Sequence, residues 1–226
     1  MDMEEVVKPM FDLVQERDLG PKISSRTMVY LVSHGQPEDI GSDKLGERGR
    51  RQVSELAYSR MIAGISRIYS SPNGAAMETS KILEQEFGVE ISKIDCLADV
   101  NLKKRLDPEV LALFWSDPNI EITDGESIHE SQQRFGDCLN NLVTKHRNDS
   151  IAIVSHPMII VLFNSFVIGG IPQVEDWVYS GYCSCASYEV TRKSWNLVMP
   201  PDDSFLTEPS SILDSLPAEV KNKFGL

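Results

Sequence analysis

The chain alternates between short apolar runs, which are typical of buried strands, and longer stretches in which apolar residues recur with helical spacing. The strand-like runs cover residues 27–32, 65–69, 91–97, 151–154, 184–190 and 195–198. The helix-like stretches cover residues 2–18, 45–63, 75–87, 108–115, 127–145 and 158–167. A helix with one buried face repeats its apolar positions every three or four residues, whereas a strand buried on both faces is apolar throughout.

This alternation predicts an α/β fold. Because each helix carries the chain back to the start of the next strand, we expect a three-layer αβα domain with a mainly parallel sheet over residues 23–200. The helical pattern before it defines an N-terminal helical extension, residues 1–22. After two consecutive prolines, residues 201–226 are rich in Ser, Pro and Asp. This composition predicts a C-terminal tail that lies on the surface or is partly disordered.

Charge narrows the class of partner. The 226 residues include 22 Lys and Arg against 34 Asp and Glu, which leaves a net charge of −12 and a pI near 4.8. Nucleic acid and anionic membranes are repelled by such a chain, so we expect neither as a partner. A small-molecule ligand is the partner we expect, and the sequence leaves a homodimer open.

Cysteine usage and hydropathy bear on the compartment. The four cysteines, at positions 96, 138, 183 and 185, are too few and too scattered for a disulfide scaffold and form no metal-binding C-x-x-C pair. The N-terminus lacks the features of a signal peptide, and no run of about 18 apolar residues occurs. These features predict a cytoplasmic protein.

Two histidines occupy matching positions. His34 and His156 each follow a Val-Ser pair directly after a strand-like run. If the two strands are neighbours in the sheet, both imidazoles reach one pocket at the carboxyl edge, where open α/β sheets bind ligands. The other two histidines, His129 and His146, lie in or next to a polar helix, and we interpret both as solvated.

Five ordered motifs resemble those of the histidine phosphatase superfamily, also called phosphoglycerate mutase-like. They are residues 30–35 (YLVSHG), 45–49 (LGERG), 68–72 (IYSSP), 125–127 (GES) and 154–156 (VSH). Each motif is weak alone, but their order and spacing together are specific. The resemblance runs from about residue 27 to residue 198 and implies the αβα fold of that family.

The resemblance also implies roles for individual residues. His34 matches the nucleophile that becomes a phosphohistidine, and His156 matches the partner that helps to hold the transferred phosphoryl group. Asp99 falls where the family has a glutamate general acid. Ser33 and Ala75 fall where the family has two arginines that stabilise the phosphate. Two charge-assisted hydrogen bonds of about 1.5–3 kcal/mol each correspond to roughly 10²- to 10⁴-fold in phosphate binding.

The remaining candidates for the pocket are polar or small. We expect His34, His156 and Asp99 to be catalytic, and no metal or cofactor to take part. The expected substrate-binding residues are Ser33, Gly35, Ser70, Ser71, Ala75 and Tyr182. A basic residue from elsewhere could replace the arginines, and the candidates are Lys44, Arg48, Lys103, Lys104 and Arg105. Residues 103–105 form a charge run, which we interpret as a solvated surface.

Three functions fit these residues. The preferred one is a repurposed enzyme that performs histidine-based acid/base chemistry (isomerisation, cyclisation or elimination) on a small molecule without phosphate. The alternatives are a non-catalytic pseudophosphatase with a binding or regulatory role, and a phosphatase with a His34 phosphohistidine and a rebuilt anion clamp. An open apolar cleft favours the first, a pocket filled by Tyr182 or Trp115 the second, and a basic side chain near His34 the third.

Overall fold

The computed structural model of the protein describes residues 25–192 and 194–226. The N-terminal helix predicted for residues 2–18 lies outside the described residues. The described part contains one sheet of six strands, in the order β3-β2-β4-β1-β5-β6. The strands are β1 (Thr27–Ser33), β2 (Arg67–Ser70), β3 (Ile91–Lys93), β4 (Ser150–Ser155), β5 (Cys185–Val190) and β6 (Trp195–Asp202).

The sheet is parallel in its first four positions and antiparallel at the end. Strands β3, β2, β4 and β1 run parallel to their neighbours, while β5 is antiparallel to both β1 and β6. Strand β4 lies in the centre of the parallel part, with Val32 of β1 opposite its Val154. The carboxyl ends of β1 and β4 therefore open side by side at one edge of the sheet.

Helices cover both faces of this sheet. They are α1 (Glu47–Tyr58), α2 (Gly74–Phe87), α3 (Pro108–Ser116), α4 (Ile128–Val143), α5 (Pro157–Ile168), α6 (Val174–Val178), α7 (Ile212–Ser215) and α8 (Ala218–Phe224), with a 3₁₀ turn at Asp95–Leu97. Alternate strand residues point to opposite faces. Leu31 accordingly packs in the cluster that includes α4 and α5, and Val32 in the cluster that includes α1 and α2. The predicted α/β class is confirmed.

Local sequence determines where several helices begin and end. Asp107 caps α3 by accepting hydrogen bonds from the N–H groups of Glu109 and Val110, and Pro108 occupies the first turn. Ser127 and Glu130 form a reciprocal capping box at the start of α4. Helix ends matter for the candidate site because Arg105 and Glu126, which lie just before α3 and α4, contact residues of that site.

The segment after Pro201 is folded against the domain, which corrects the expectation of a surface or disordered tail. Ile212, Leu216 and Val220 are buried in the core cluster on the α4 and α5 face. Three apolar side chains at a spacing of four residues bury one side of α7 and α8, and this burial offsets the polar composition of the segment. Strand β6 also runs to Asp202, two residues beyond the predicted domain boundary.

The described residues include one disulfide, between Cys96 and Cys138. It joins the 3₁₀ turn to α4, and the sequence analysis did not anticipate it. Disulfides persist mainly in oxidising compartments, so this bond does not favour the predicted cytoplasmic location. None of the helices in the described part has the length and apolar composition that a membrane span requires.

Candidate functional site

The two matched histidines meet at the carboxyl edge of the sheet. His34 follows the last residue of β1, His156 follows the last residue of β4, and these two strands are paired through Ser33 and Ser155. The ring centroids lie 5.0 Å apart, and both side chains are buried. The predicted convergence is therefore confirmed, whereas the chemical roles of the two rings stay predictions.

His34 is held as a neutral imidazole with one free nitrogen. Its Nδ1 lies 2.9 Å from the main-chain oxygen of Gly35. Because a carbonyl oxygen only accepts, Nδ1 must carry the proton, and Nε2 must carry the lone pair. Burial lowers the pKa of His34, and the bond to Gly35 only partly opposes this. No polar group among the described residues hydrogen-bonds to Nε2, so this atom is available to attack or to accept a proton.

His156 is held from the opposite side by a hydroxyl. Its Nε2 lies 2.8 Å from Ser71 Oγ, which donates its own proton to Asn73 Oδ1 at 3.0 Å. Since that hydroxyl proton is already used, His156 Nε2 donates to Ser71. Burial lowers the pKa of His156 to about 3, although the Asp99 carboxylate acts in the opposite direction. This imidazole is therefore neutral as well, with Nδ1 3.8 Å from Asp99 Oδ2.

Asp99 is a buried, ionised carboxylate behind the histidines. Its Oδ1 accepts hydrogen bonds from the N–H groups of Val100 at 2.9 Å and Ile159 at 3.3 Å, and Oδ2 forms an ion pair with Arg105. Burial by itself raises the pKa of Asp99, but Arg105 foremost, then His156 and the N–H of Val100, bring it below its ordinary value. While it is paired with Arg105, Asp99 is a counter-ion and not a proton donor.

Arg105 corrects the interpretation of residues 103–105 as a solvated run. Its side chain is only one-third exposed and contributes to the wall of the same cavity as both histidines. Lys103, by contrast, pairs with Asp124 at the surface. The prediction that all three side chains of this run are solvated is wrong for Arg105. The chain turns at this point and brings the Arg105 guanidinium against Asp99. Arg48 is engaged elsewhere, on the carbonyl oxygen of Pro209.

The histidines open into a cavity of about 130 Å³. Its wall includes His34, Ala75, Arg105, His156, Trp177, Tyr182 and Ile212. The Tyr182 ring lies 5.8 Å from the His34 ring and forms one side of the cavity without filling it. Ala75, where the resemblance places an arginine in other family members, adds no hydrogen-bond donor from its side chain. Arg105 is thus the lone guanidinium among the residues that line this cavity in the described part of the chain.

The other expected substrate-binding residues do not all line the cavity. Ser33 and Ser70 are not part of the cavity wall, since the Ser33 hydroxyl donates to Gly181 O and that of Ser70 to Ser71 O. Ser71 and Gly35 instead hold the two imidazoles. Gly35 must be glycine, because a Cβ there would lie 2.6 Å from a main-chain oxygen of α1.

Arg134 fixes the segment that carries Asp99, a function that the sequence analysis did not assign. Its guanidinium donates to the main-chain oxygens of Cys96, Ala98 and Asp99 and pairs with Glu126. Glu126 belongs to the GES motif that precedes α4, so this motif serves to anchor the loop under the site. The disulfide at Cys96 reinforces the same segment.

The expectation that His146 is solvated is wrong. Its Nε2 lies 2.7 Å from the Tyr69 hydroxyl and its Nδ1 lies 2.9 Å from Asp149 Oδ2. The side chain is 14% exposed and belongs to a hydrogen-bonded network at the amino end of β4. His129 is exposed on α4, as expected.

Known proteins resemble this chain over most of its length. The model of the histidine phosphatase superfamily (branch 1) matches residues 29–203. The Probable phosphoglycerate mutase GpmB of Cronobacter sakazakii is 24% identical over 186 residues, which cover 74% of this chain and 86% of that protein. The corresponding protein of Proteus mirabilis is 26% identical over 192 residues, with the same coverage.

Solved structures agree on the fold. YhfR of Bacillus stearothermophilus superposes with a TM-score of 0.70 at 22% identity, covering 79% of this chain and 98% of that one. The phosphoserine phosphatase of Entamoeba histolytica gives a TM-score of 0.67 at 19% identity, with coverages of 80% and 99%. With a family model that spans most of the chain and folds that superpose in this way, the chain belongs to the histidine phosphatase superfamily, branch 1.

Proposed function

We propose that this protein is a phosphatase in which His34 Nε2 attacks the phosphorus of a small phosphomonoester and Arg105 stabilises the transferred group. The observation that carries the proposal is the presence of one guanidinium in the cavity of a neutral histidine with a free nitrogen. A basic side chain in this cavity is the feature that separates a rebuilt anion clamp from the other two functions. The family relatives that act on phosphate esters support the same choice.

The proposed reaction has two steps. In the first, His34 Nε2 forms a bond to phosphorus while the bond to the ester oxygen breaks, and that oxygen takes a proton from Asp99. In the second, water attacks the phosphohistidine, returns a proton to Asp99 and releases phosphate. Charge develops on the phosphoryl oxygens in both steps, and Arg105 stabilises it.

The pairing of Arg105 with Asp99 controls when Asp99 carries a proton. While the two side chains pair, Asp99 is ionised. When the guanidinium turns to a phosphate, the buried carboxylate loses its main counter-ion, and burial then raises the pKa of Asp99. Asp99 can then take the proton of a monoester monoanion and donate it to the leaving oxygen. Substrate binding thus converts Asp99 into an acid.

A single guanidinium limits which substrates are used. Compared with a clamp of two arginines, the loss of one charge-assisted bond corresponds to roughly 10- to 100-fold in phosphate affinity. The rest of the substrate must then contribute binding energy through the cavity wall near Trp177, Tyr182 and Ile212. We therefore expect weak turnover of generic phosphomonoesters and selectivity for a substrate that fits this wall.

Acid/base chemistry on a non-phosphorylated molecule is a second candidate, and Ala75 is the observation that favours it. This residue places a methyl group on the cavity wall where the resemblance implies an arginine. His34 Nε2 could then act as a general base and not as a nucleophile. The experiment below distinguishes the two functions.

The test is to trap the phosphoenzyme. The full chain is incubated with a panel of phosphorylated hydroxy acids, amino acids, sugars and an aryl phosphate, quenched at alkaline pH and analysed by peptide mass spectrometry. We expect a phosphate on His34 and release of inorganic phosphate, both lost in His34→Ala and both retained in His146→Gln. Unmodified His34 with every ester, together with His34-dependent conversion of a ligand that lacks phosphate, would establish the second candidate. Binding of a ligand without its chemical conversion would indicate a non-catalytic binding protein.

A further inference from the structure

A second, larger cavity lies on the other side of the wall that carries His34. It has a volume of about 360 Å³ and is bordered by α5, residues 179–184 and the end of β6. The two cavities share Pro157. The consecutive residues Ser33 and His34 face different cavities: Ser33 borders the second and His34 borders the first.

The serine hydroxyls of this cavity have no proton left to donate. Ser33 Oγ donates to Gly181 O at 2.9 Å, so in its 3.1 Å contact with Ser184 Oγ the latter must be the donor. Ser165 Oγ donates to the main-chain oxygen of Leu162, and Ser180 Oγ donates to that of Trp177. A hydroxyl carries one proton, so these four groups offer a ligand only their lone pairs.

Four further polar side chains border the cavity: Asp176 and Asp203 are carboxylates, which only accept hydrogen bonds, while Asn164 and Tyr179 also carry donors. Asp203 is half-buried, and within the described residues its carboxylate has no cationic partner. Burial, together with the nearby Asp202, raises the pKa of Asp203, and a hydrogen bond from its own main-chain N–H only partly opposes this. Asp176 also borders the cavity, and Asn164 Oδ1 is buried without a hydrogen-bond partner. No Lys, Arg or His is among the described residues that line the cavity.

We propose that this second cavity binds the primary ammonium group of a small aliphatic amine. An ammonium group supplies three N–H donors and one positive charge, which match a lining that contains two carboxylates, four hydroxyls without a free proton and no cationic side chain among the described residues. The side chains of Ile160, Val161 and Ile168 border the same space and provide apolar contacts for a short alkyl chain. The site is independent of the phosphatase reaction proposed above, because no residue of the acid/base or nucleophilic set contributes to it.

The test is a titration of the isotope-labelled full chain with n-butylammonium chloride, followed by ¹H–¹⁵N correlation NMR at about 0.15 M ionic strength. Two probes serve as controls: tetramethylammonium has the charge without N–H donors, and n-butanol has the alkyl chain without the charge. We expect saturable shifts of the amides of Gly181, Ser184 and Asp203 with n-butylammonium alone. Asp203→Asn is expected to weaken binding about tenfold or more, whereas Asp202→Asn, the same change one residue away, leaves it within about twofold.

A third variant tests binding in the cavity without changing Asp203. Val161→Lys places a tethered ammonium group at the cavity and is expected to abolish n-butylammonium binding. Absence of saturable shifts in the wild-type chain overturns the proposal. So do equal shifts with tetramethylammonium, or equal affinities of the Asp203→Asn and Asp202→Asn chains, because these results identify a general attraction of cations to a chain of net charge −12.

Discussion

His146 and His156 lie at opposite ends of strand β4, and their surroundings differ. His146 precedes the strand, and both of its ring nitrogens are hydrogen-bonded, one to Tyr69 and one to Asp149. His156 follows the strand and faces His34, whose Nε2 has no partner in the described part of the chain. One end of the strand therefore carries a completed polar network, and the other end carries an incomplete one that opens into a cavity.

The difference distinguishes a histidine whose ring nitrogens are both bonded to protein groups from one that keeps a nitrogen available for the proposed reaction. A ring with both nitrogens bonded to protein groups stabilises the fold, because its bonds replace those with water. A buried ring with one nitrogen unbonded forgoes such a bond, and this pattern is typical of sites that bind or react with a ligand. Four experiments test this comparison, in order of decreasing expected effect.

Alanine at His34 and alanine at His146 should separate activity from stability. His34→Ala is expected to lower turnover of the proposed phosphomonoester substrate by about 10⁴-fold or more, because it removes the nitrogen proposed to attack phosphorus. His146→Ala is expected to leave turnover within about twofold while lowering the unfolding free energy. Steady-state phosphate release and urea unfolding measure the two quantities. Equal losses of activity in both variants would contradict the comparison.

Arg105→Ala tests whether the open end of β4 is an anion site. Loss of a charge-assisted hydrogen bond to the transferred group is expected to lower kcat/KM about 10- to 100-fold. Lys103→Ala, which removes a surface ion pair in the same loop, is the control and should change kcat/KM by less than about twofold. Arg105→Lys should recover part of the loss. An unchanged kcat/KM in Arg105→Ala would exclude the guanidinium from the reaction.

His156→Gln tests the comparison through the pH dependence of the unfolding free energy. The unfolded chain protonates this imidazole near pH 6.5, whereas the folded one takes up a proton only at a pKa of about 3. Between these values the unfolded state binds more protons, so stability falls as pH falls, by about 1.4 kcal/mol per pH unit. In urea titrations at pH 4, 5 and 6, His156→Gln should remove this contribution. His129→Gln, on the exposed face of α4, should retain the wild-type slope, and an unaltered slope in His156→Gln would refute the burial of a neutral ring.

Tyr69→Phe has the smallest expected effect and addresses the closed end. Removing the hydroxyl that bonds His146 should lower the unfolding free energy by about 0.5–1.5 kcal/mol, with no change in the proposed phosphatase activity. Tyr58→Phe is the matched control, since Tyr58 is 72% exposed and should contribute close to nothing. Chemical denaturation of the three chains decides the point. A loss of activity in Tyr69→Phe would link the two ends of β4.

Periodicity predicted most elements of the fold to within a few residues. The helix expected over residues 158–167 is observed at Pro157–Ile168, and the strand expected over 151–154 is observed at Ser150–Ser155. The run at residues 91–97 divides instead into a three-residue strand and a 3₁₀ turn. Helix α6, of five residues, is too short to show a period and was missed.

The sequence by itself determined the alternation of strands and helices and the placement of His34 and His156 after two buried strands, because both are properties of continuous segments. Tertiary structure alone decided which polar side chains meet. Arg105 reaches Asp99, Ser33 turns to Gly181, and His146 meets Tyr69. The last two pairs are 148 and 77 residues apart in the chain. A hydrogen bond between distant residues depends on how the layers pack, so the local periodicity of the sequence does not predict it.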